Sequence, residues 1–108
     1  MSSKHGIVQE IKNLTRDYVR KGGKTNRRQQ YKRMIEFGLF CRDSLQTPNL
    51  AAVGKRHVVS YYKSLEKLSD ATRLSHYYAL KTLFSLAGKT TPVKPNLALR
   101  QAVAFSQL

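Results

Sequence analysis

Apolar residues recur along most of the chain at spacings of three and four, which is typical of helices that bury one face. The clearest series lies between Thr25 and Ser44, where the first third is basic and polar and the remainder carries an apolar stripe. The stripe consists of Tyr31, Met34, Ile35, Gly38 and Cys41, widened by Phe37 and Phe40. We therefore predict one helix from Thr25, its N-cap, to about Ser44, with charged first turns and buried later turns.

The same spacing predicts four further helices, over residues 7–20, 55–67, 70–87 and 97–105. Ser69 is a good N-cap for the helix over residues 70–87, and Gly88 suits its C-terminal cap. The segment 89–95 holds two prolines and is predicted to be a linker. No alternating strand pattern is present. The predicted fold class is all-α, a bundle of four to five helices forming one domain over residues 7–105 after a flexible N-terminus at residues 1–6.

The charge of the chain points to its class of partner. The 108 residues include 20 Lys and Arg against 6 Asp and Glu, which gives a formal net charge of +14. Such an excess favours a polyanionic partner, with nucleic acid ahead of an anionic membrane surface. The segment from Arg20 to Arg33 contains seven cations and no acid, so one flank of the molecule is expected to be the more positive.

Residues suited to catalysis or metal binding are few. The three histidines are scattered, and no HExxH motif, cysteine pair or phosphate-binding glycine loop accompanies them. Cys41 is the only cysteine, which excludes an internal disulfide and a cysteine-based zinc site. No apolar run approaches the roughly 18 residues that cross a bilayer. We expect a cytoplasmic chain that does not enter a membrane, needs no cofactor or metal ion, and catalyses no reaction by itself.

The basic start of the central helix is the first candidate for binding double-stranded DNA. Cations can hold phosphates while amide side chains read base edges. An ordinary solvated helix face would interleave acids with bases, whereas in the predicted central helix no acid precedes Glu36. We assign phosphate contacts mainly to Lys24, Arg27, Arg28 and Lys32, base contacts to Asn26 and Gln29, and places in the same patch to Thr25 and Arg33.

The start of the helix over residues 70–87 is a second, weaker candidate. A free helix N-terminus with hydroxyl groups can bind phosphate without a large charge. The residues assigned to DNA contact are Ser69, Thr72, Arg73, Ser75 and His76, with Ser75 and His76 at base edges and Arg73 at a base or a phosphate. For His76, an ordinary histidine at the edge of the core is an equal alternative.

Two blocks of the sequence resemble a known family. The first is TNRRQQYKRMIEFGLFC at residues 25–41, and the second spans residues 53–88. In the second block L-S-D-A-T opens a helix, with Ser69 and Thr72 in place, and Leu80, Leu83 and Phe84 follow at its far end. Together the blocks resemble the N-terminal core-binding domain of tyrosine recombinases, the phage integrase family, which has a SAM-like helical fold. Gly54 departs from the family, which often has Thr or Ser there.

The resemblance implies a role in site-specific DNA recombination or integration. In that family this domain and a following catalytic domain clamp duplex DNA, and the second and fourth helices face the major groove. Here those are the helices that start at Thr25 and Ser69. The resemblance also implies that the last short helix, 97–105, packs on a neighbouring subunit or on a following catalytic domain, and packing back on its own domain is an equal alternative. DNA cleavage through a covalent phosphotyrosine would belong to that following domain.

Two alternatives to this interpretation stay open. The chain could be a stand-alone DNA-binding regulator that shares the fold. It could instead be a protein-interaction module, in which the aromatic helices and the apolar segment 97–105 recruit a partner and the charge aids solubility. An RNA partner is compatible with the charge, although no strand with stacked aromatics is predicted, as the common RNA-binding sheets require.

Overall fold

The computed structural model describes residues 6–21 and 24–95. Five α-helices follow one another in this part of the chain: α1 (Ile7–Leu14), α2 (Arg16–Arg20), α3 (Lys24–Ser44), α4 (Lys55–Ser64) and α5 (Asp70–Leu86). A short 3₁₀ turn, Leu50–Ala52, precedes α4, and the described residues contain no strand. The predicted all-α class is confirmed. Residues 1–5 and the predicted helix 97–105 lie outside the described residues.

Thr15 divides the first predicted helix in two. Its hydroxyl donates to the Ile11 carbonyl oxygen at 2.7 Å, and its backbone N–H donates to the same oxygen at 3.0 Å. The backbone at Thr15 has φ −97° and ψ 4°, outside the usual helical values. A hydroxyl bonded to the carbonyl four residues earlier tends to bend a helix. The prediction of one helix over residues 7–20 is therefore wrong, because α2 is a separate five-residue helix.

The central helix α3 packs against all four other helices. Its apolar stripe is buried as predicted, with Met34, Phe37 and Cys41 at 0% exposure. Gly38 lets α1 approach closely, since a Cβ at this position would lie 2.7 Å from Cδ1 of Ile11. The middle of α3 is thus fixed inside the bundle, while its first turns reach solvent, as do Arg42, Asp43 and Ser44 at its end.

The start of α3 differs slightly from the prediction. The helix begins at Lys24 and ends at Ser44. Thr25 therefore lies inside the first turn, and its assignment as the N-cap is wrong. Its side chain is exposed, so it stays on the surface of the predicted patch.

The starts and ends of α4 and α5 depend on identifiable caps. The backbone N–H of Gly54 donates to Nδ1 of His57 at 3.0 Å, which secures the start of α4 without a Thr or Ser side chain. The Thr72 N–H donates to the hydroxyl of Ser69 at 3.2 Å, which confirms Ser69 as the N-cap of α5. Gly88 has φ +71° and follows the end of α5, as expected for a C-terminal cap. Helix α4 ends at Ser64, three residues before its predicted end, because residues 65–67 form a turn.

Aromatic contacts hold α3 against α4 and α5. The ring of Phe37 meets the edge of Tyr61, with centroids 5.1 Å apart at 75°, and lies 6.3 Å from the ring of Phe84. The Tyr62 hydroxyl donates to the Val93 carbonyl at 2.6 Å, which fastens the segment after α5 to α4. These contacts join the middle of α3, α4, α5 and the segment after α5 in one core.

Candidate nucleic-acid interface

The first turns of α3 present one exposed strip of side chains. Successive residues are rotated by about 100° around a helix axis. Residues at a shared rotation on the outer side are Thr25, Arg28, Gln29, Lys32 and Glu36, and all of them are exposed. We call these five residues the α3 strip. It carries two cations and an amide before its first acid, Glu36, and Asn26 is exposed beside it.

Helix α2 packs against α3 on the side of the apolar stripe, away from the α3 strip, and Arg27 holds it there. The Nη1 atom of Arg27 donates to the backbone carbonyl of Tyr18 at 2.8 Å. Its guanidinium also stacks over the Tyr18 ring at 4.4 Å from the centroid, an arrangement in which cation and ring attract each other. One donor of Arg27 is thus used inside the protein, and the side chain is half-buried.

Helix α5 packs against α3, and the rings of Phe84 and Phe37 lie 6.3 Å apart. Burial lowers the pKa of His76 on α5, Glu36 opposes this shift, and Arg33 adds to it. Arg33 is half-buried on α3. The packing of α5 on α3 brings the two predicted DNA-binding helices together.

The cations of the strip are not neutralised by carboxylates. Among the described residues the ion pairs are Arg42 with Asp43 at 2.7 Å and Arg73 with Asp70 at 3.6 Å. Neither pair involves Arg28 or Lys32, so the guanidinium of Arg28 and the ammonium of Lys32 face solvent. An exposed and unpaired cationic strip is what a phosphate backbone can neutralise.

The hydroxyl groups at the start of α5 already have internal partners. The Ser69 hydroxyl donates to Oγ1 of Thr72 at 2.9 Å while accepting the capping N–H bond. The Ser75 hydroxyl donates to the Ala71 carbonyl at 3.1 Å. A phosphate oxygen accepts hydrogen bonds, so the Thr72 hydroxyl, which accepts from Ser69, is the one left to donate to it, while the first turn of the helix supplies a positive partial charge. Ser69 is exposed, whereas Thr72 and Ser75 are partly exposed.

Arg73 and His76 are buried, and their assignment to DNA contact is wrong. Arg73 is 4% exposed and His76 is 6% exposed. The Nδ1 atom of His76 lies 3.0 Å from the Tyr61 hydroxyl, and the two rings meet edge to face. The sequence already indicates that both residues face inward. Arg73 and His76 lie four residues before the buried Tyr77 and Leu80, which places all four on the same side of the helix. The structure thus favours the alternative that His76 is a core-edge residue.

The side chain of Lys24 lies outside the described part of the structure, so the site consists of the remaining candidates. The described side chains that reach the surface are Thr25, Asn26, Arg28, Gln29, Lys32 and Ser69, with Arg27, Arg33, Thr72 and Ser75 partly exposed. These groups are hydrogen-bond donors, acceptors and fixed cations. Such a set is suited to holding an anionic surface rather than to breaking bonds.

The titratable groups elsewhere are used for packing. Burial raises the pKa of the Cys41 thiol to about 12, so the thiol stays protonated at neutral pH. Burial also raises the pKa of Tyr61 and Tyr62 above their usual range. No group of His, Cys, Asp and Glu within the described ranges is arranged to hold a metal ion.

Comparison with protein-family models, with curated proteins and with solved structures finds no match for this chain. Within residues 6–21 and 24–95, none of the helices combines the length and apolar character needed to cross a membrane. What the protein binds must therefore be argued from the α3 strip and the start of α5.

Proposed function

We propose that this protein binds double-stranded DNA by placing the α3 strip in the major groove. The observation that carries the proposal is a run of exposed cations and amides, free of acids until Glu36, along the first turns of α3. A helix with its side chains is about 10–12 Å across, and the major groove is about 12 Å wide. The dimensions and the charge of the strip therefore suit the same partner.

The side chains of the strip divide by chemistry. Arg28 and Lys32 neutralise phosphates and release their counterions, which supplies affinity for any sequence. Gln29 and Asn26 present amides that can pair with base edges and so supply sequence preference. At the edge of the site, the first turn of α5 binds a phosphate, to which its N–H groups and the hydroxyl of Thr72 donate hydrogen bonds.

The more specific proposal is that the chain is the core-binding domain of an integrase-type tyrosine recombinase. The order of the helices, the cap formed by Ser69 in L-S-D-A-T and the packing of α5 on α3 support it. In that case the chemistry of strand cleavage is performed by a separate catalytic domain. A stand-alone DNA-binding regulator has the same surface, and reading the gene past the codon for Leu108 distinguishes the two.

One observation favours a protein partner as the second candidate. Tyr78 and Leu86 lie two turns apart on α5 and are 46% and 39% exposed. Large apolar side chains at the surface are commoner at interaction sites than elsewhere when they form a continuous patch. Thr82, which lies between them on the same face, is partly exposed and polar, so the patch is small. Binding to DNA is therefore the function that the surface supports better.

The test is the salt dependence of binding to a labelled duplex, followed by fluorescence anisotropy. Each neutralised phosphate contributes about 0.9 to the slope of log affinity against log salt. We expect a slope of about −2 if Arg28 and Lys32 alone act, and about −4 to −5 if Lys24, Arg27 and Arg33 contribute. A flat salt response, or an Arg28→Ala/Lys32→Ala variant that binds like the wild type, would refute the proposal.

A matched control removes the same charge elsewhere. Lys55 and Arg56 are exposed at the start of α4. Lys55 lines a cavity with Phe84 and Gly88, which places it beside the C-terminal end of α5, away from Ser69. Lys55→Ala/Arg56→Ala should therefore keep the affinity and the salt slope of the wild type.

A further inference from the structure

We propose that the cavity between the start of α4 and the end of α5 binds a small carboxylate with an alkyl chain, a medium-chain fatty acid. The apolar floor of the cavity takes the chain, and Lys55 and Lys89 hold the carboxylate at the rim. Neither lysine belongs to the α3 strip or to the start of α5, so the inference does not depend on the binding of DNA.

The floor of the cavity is part of the hydrophobic core. The cavity has a volume of about 480 Å³, which lies within the usual range of small-molecule sites. Val53, Val58 and Phe84 line it, and each is 4% exposed or less. An alkyl chain that enters the cavity leaves water and contacts apolar side chains. Each methylene buried in this way tightens binding by up to about fourfold.

Two hydrogen bonds hold the segment after α5 that forms one wall of the cavity. The Tyr62 hydroxyl donates to the Val93 carbonyl at 2.6 Å, and the N–H of Lys89 donates to the Phe84 carbonyl at 2.8 Å. Pro92, between these two points, lines the cavity and is buried. A ligand therefore does not have to order this wall, which lowers the entropic cost of binding.

The described lining of the cavity contains two cations and no acid. Lys55 is exposed at the start of α4, and Lys89 is half-buried with its Nζ atom 6.0 Å from the centre of the Phe84 ring. Neither lysine belongs to an ion pair within the described residues. The ammonium of Lys89 thus lies over an apolar side chain, which matches a ligand with an apolar body and a negative head.

The buried ring of His57 shows the sign of the electrostatic potential beside the cavity. Its Nδ1 atom accepts a hydrogen bond at 3.0 Å from the N–H of Gly54, which lines the cavity. Burial lowers the pKa of His57, and the charges of Arg56 and Lys89 add to this shift, against the hydrogen bond with Gly54. Cations act in this direction because they disfavour the charged imidazolium. The potential at this edge is therefore positive, as a carboxylate requires.

A neighbouring cavity does not offer the same match. It has a volume of about 550 Å³ and also borders Lys89, but Glu10 lines it. The Oε1 atom of Glu10 accepts a hydrogen bond from the N–H of Leu50 at 2.8 Å, which fixes the carboxylate in place. A fixed negative charge repels a second carboxylate. The inference therefore concerns the cavity at the start of α4 alone.

The experiment titrates the full chain with octanoate, hexanoate, 1-octanol and octylammonium, followed by backbone amide chemical shifts. We expect octanoate to shift Gly54, Gly88 and Thr90 and to leave Arg28 unchanged. Hexanoate lacks two methylenes and should bind up to about fifteenfold more weakly. The neutral 1-octanol should bind more weakly than octanoate, and octylammonium most weakly of the three. Equal affinity for octanoate and hexanoate, or for octanoate and octylammonium, would overturn the inference.

The part played by the two lysines is tested by Lys55→Gln/Lys89→Gln, with Lys63→Gln/Lys67→Gln as the matched control. Each ion pair at the rim contributes up to about fivefold to affinity, so the first variant should lose affinity for octanoate and keep it for 1-octanol. Lys63 and Lys67 are exposed outside the described lining, so the control should bind both probes like the wild type. Equal affinities of the two variants for octanoate would refute the role of Lys55 and Lys89.

Two further results would assign the cavity to another occupant and overturn the inference. Shifts at residues 97–108 on addition of octanoate would show that this segment fills the cavity and is displaced. Shifts at Gly54 and Thr90 that depend on protein concentration alone would assign the cavity to a second copy of the chain. Each of these outcomes leaves the proposed function standing, because that function is tested at Arg28 and Lys32.

Discussion

Replacing Arg73 by methionine should stabilise the protein, because the guanidinium is buried with few partners. The side chain of Arg73 is 5% exposed, and its Nε and Nη1 atoms find no hydrogen-bond partner among the described residues. Arginine stays charged at any ordinary pH, so it cannot escape the cost of burial by losing a proton. The ion pair with Asp70 is long, at 3.6 Å, and that carboxylate is 42% exposed.

The magnitude follows from these contacts. A buried donor without a partner costs about 1–3 kcal/mol, while an ion pair to a partly exposed carboxylate returns at most about 1 kcal/mol. Replacing buried charged groups by apolar side chains of similar size is often neutral or stabilising by about 1–4 kcal/mol. Asp70 remains favourable afterwards, since it lies in the first turn of α5. We expect Arg73→Met to raise the free energy of unfolding by about 1–2 kcal/mol.

The assay is urea denaturation followed by circular dichroism, with Arg28→Met as the matched control. That control makes the same chemical change on the exposed strip and should alter stability by less than about 0.5 kcal/mol. Binding to duplex DNA should show the reverse pattern, since Arg73→Met keeps the affinity of the wild type and Arg28→Met loses part of it. A loss of more than about 1 kcal/mol of stability in Arg73→Met would contradict this reasoning about an under-satisfied guanidinium.

Three further changes test the fold and its titration. Phe37→Ala should cost about 3–5 kcal/mol in urea denaturation, because the ring is fully buried between two aromatic neighbours; a loss below 1 kcal/mol would argue against the described core. Ser69→Ala should lower the free energy of unfolding by about 1 kcal/mol, because the N-cap of α5 is lost. Ser85 is exposed on the same helix, so Ser85→Ala should leave the free energy of unfolding unchanged, and equal losses in the two variants would refute the role of Ser69 as a cap. Burial lowers the pKa of His76 from its ordinary value of 6.5, so its contribution to stability is present above that value and is lost as pH falls through the lowered pKa. Between about pH 7 and 5, the free energy of unfolding should therefore fall less in His76→Gln than in the wild type. An equal fall in both proteins would show that other groups cause it.

The pattern of the sequence was sufficient to predict α3 and the caps of α5. The burial of Met34, Phe37 and Cys41 follows from a strong periodic stripe, which depends only on neighbours in the chain. Ser69 and Gly88 act through local backbone geometry, so their identity already indicates where a helix starts and ends. The exposed strip of Arg28, Gln29 and Lys32 follows in turn, because it is the side of α3 opposite the stripe.

The features that were not predicted depend on contacts between distant residues or on weak local preferences. Thr15 interrupts a helical pattern that its apolar neighbours continue, and only the bond to the Ile11 carbonyl shows the break. The prediction that Arg73 and His76 contact DNA follows from their polarity, because polar side chains usually lie at the surface. Their spacing, however, puts both residues on the inward side of α5. The contact between Arg27 and Tyr18 joins two helices across a pair of glycines, and no periodicity reports such a contact.

The central claim is that duplex DNA lies against the α3 strip and the start of α5. The most direct measurement is the change in backbone amide chemical shifts, by nuclear magnetic resonance, as an unlabelled duplex is titrated into the isotope-labelled protein. We expect the largest shifts at Arg28, Gln29 and Lys32, with a smaller one at Thr72 and none at the start of α4. Shifts confined to residues 97–108, or to the exposed face of α5 at Tyr78 and Leu86, would contradict the claim and favour a protein-interaction module.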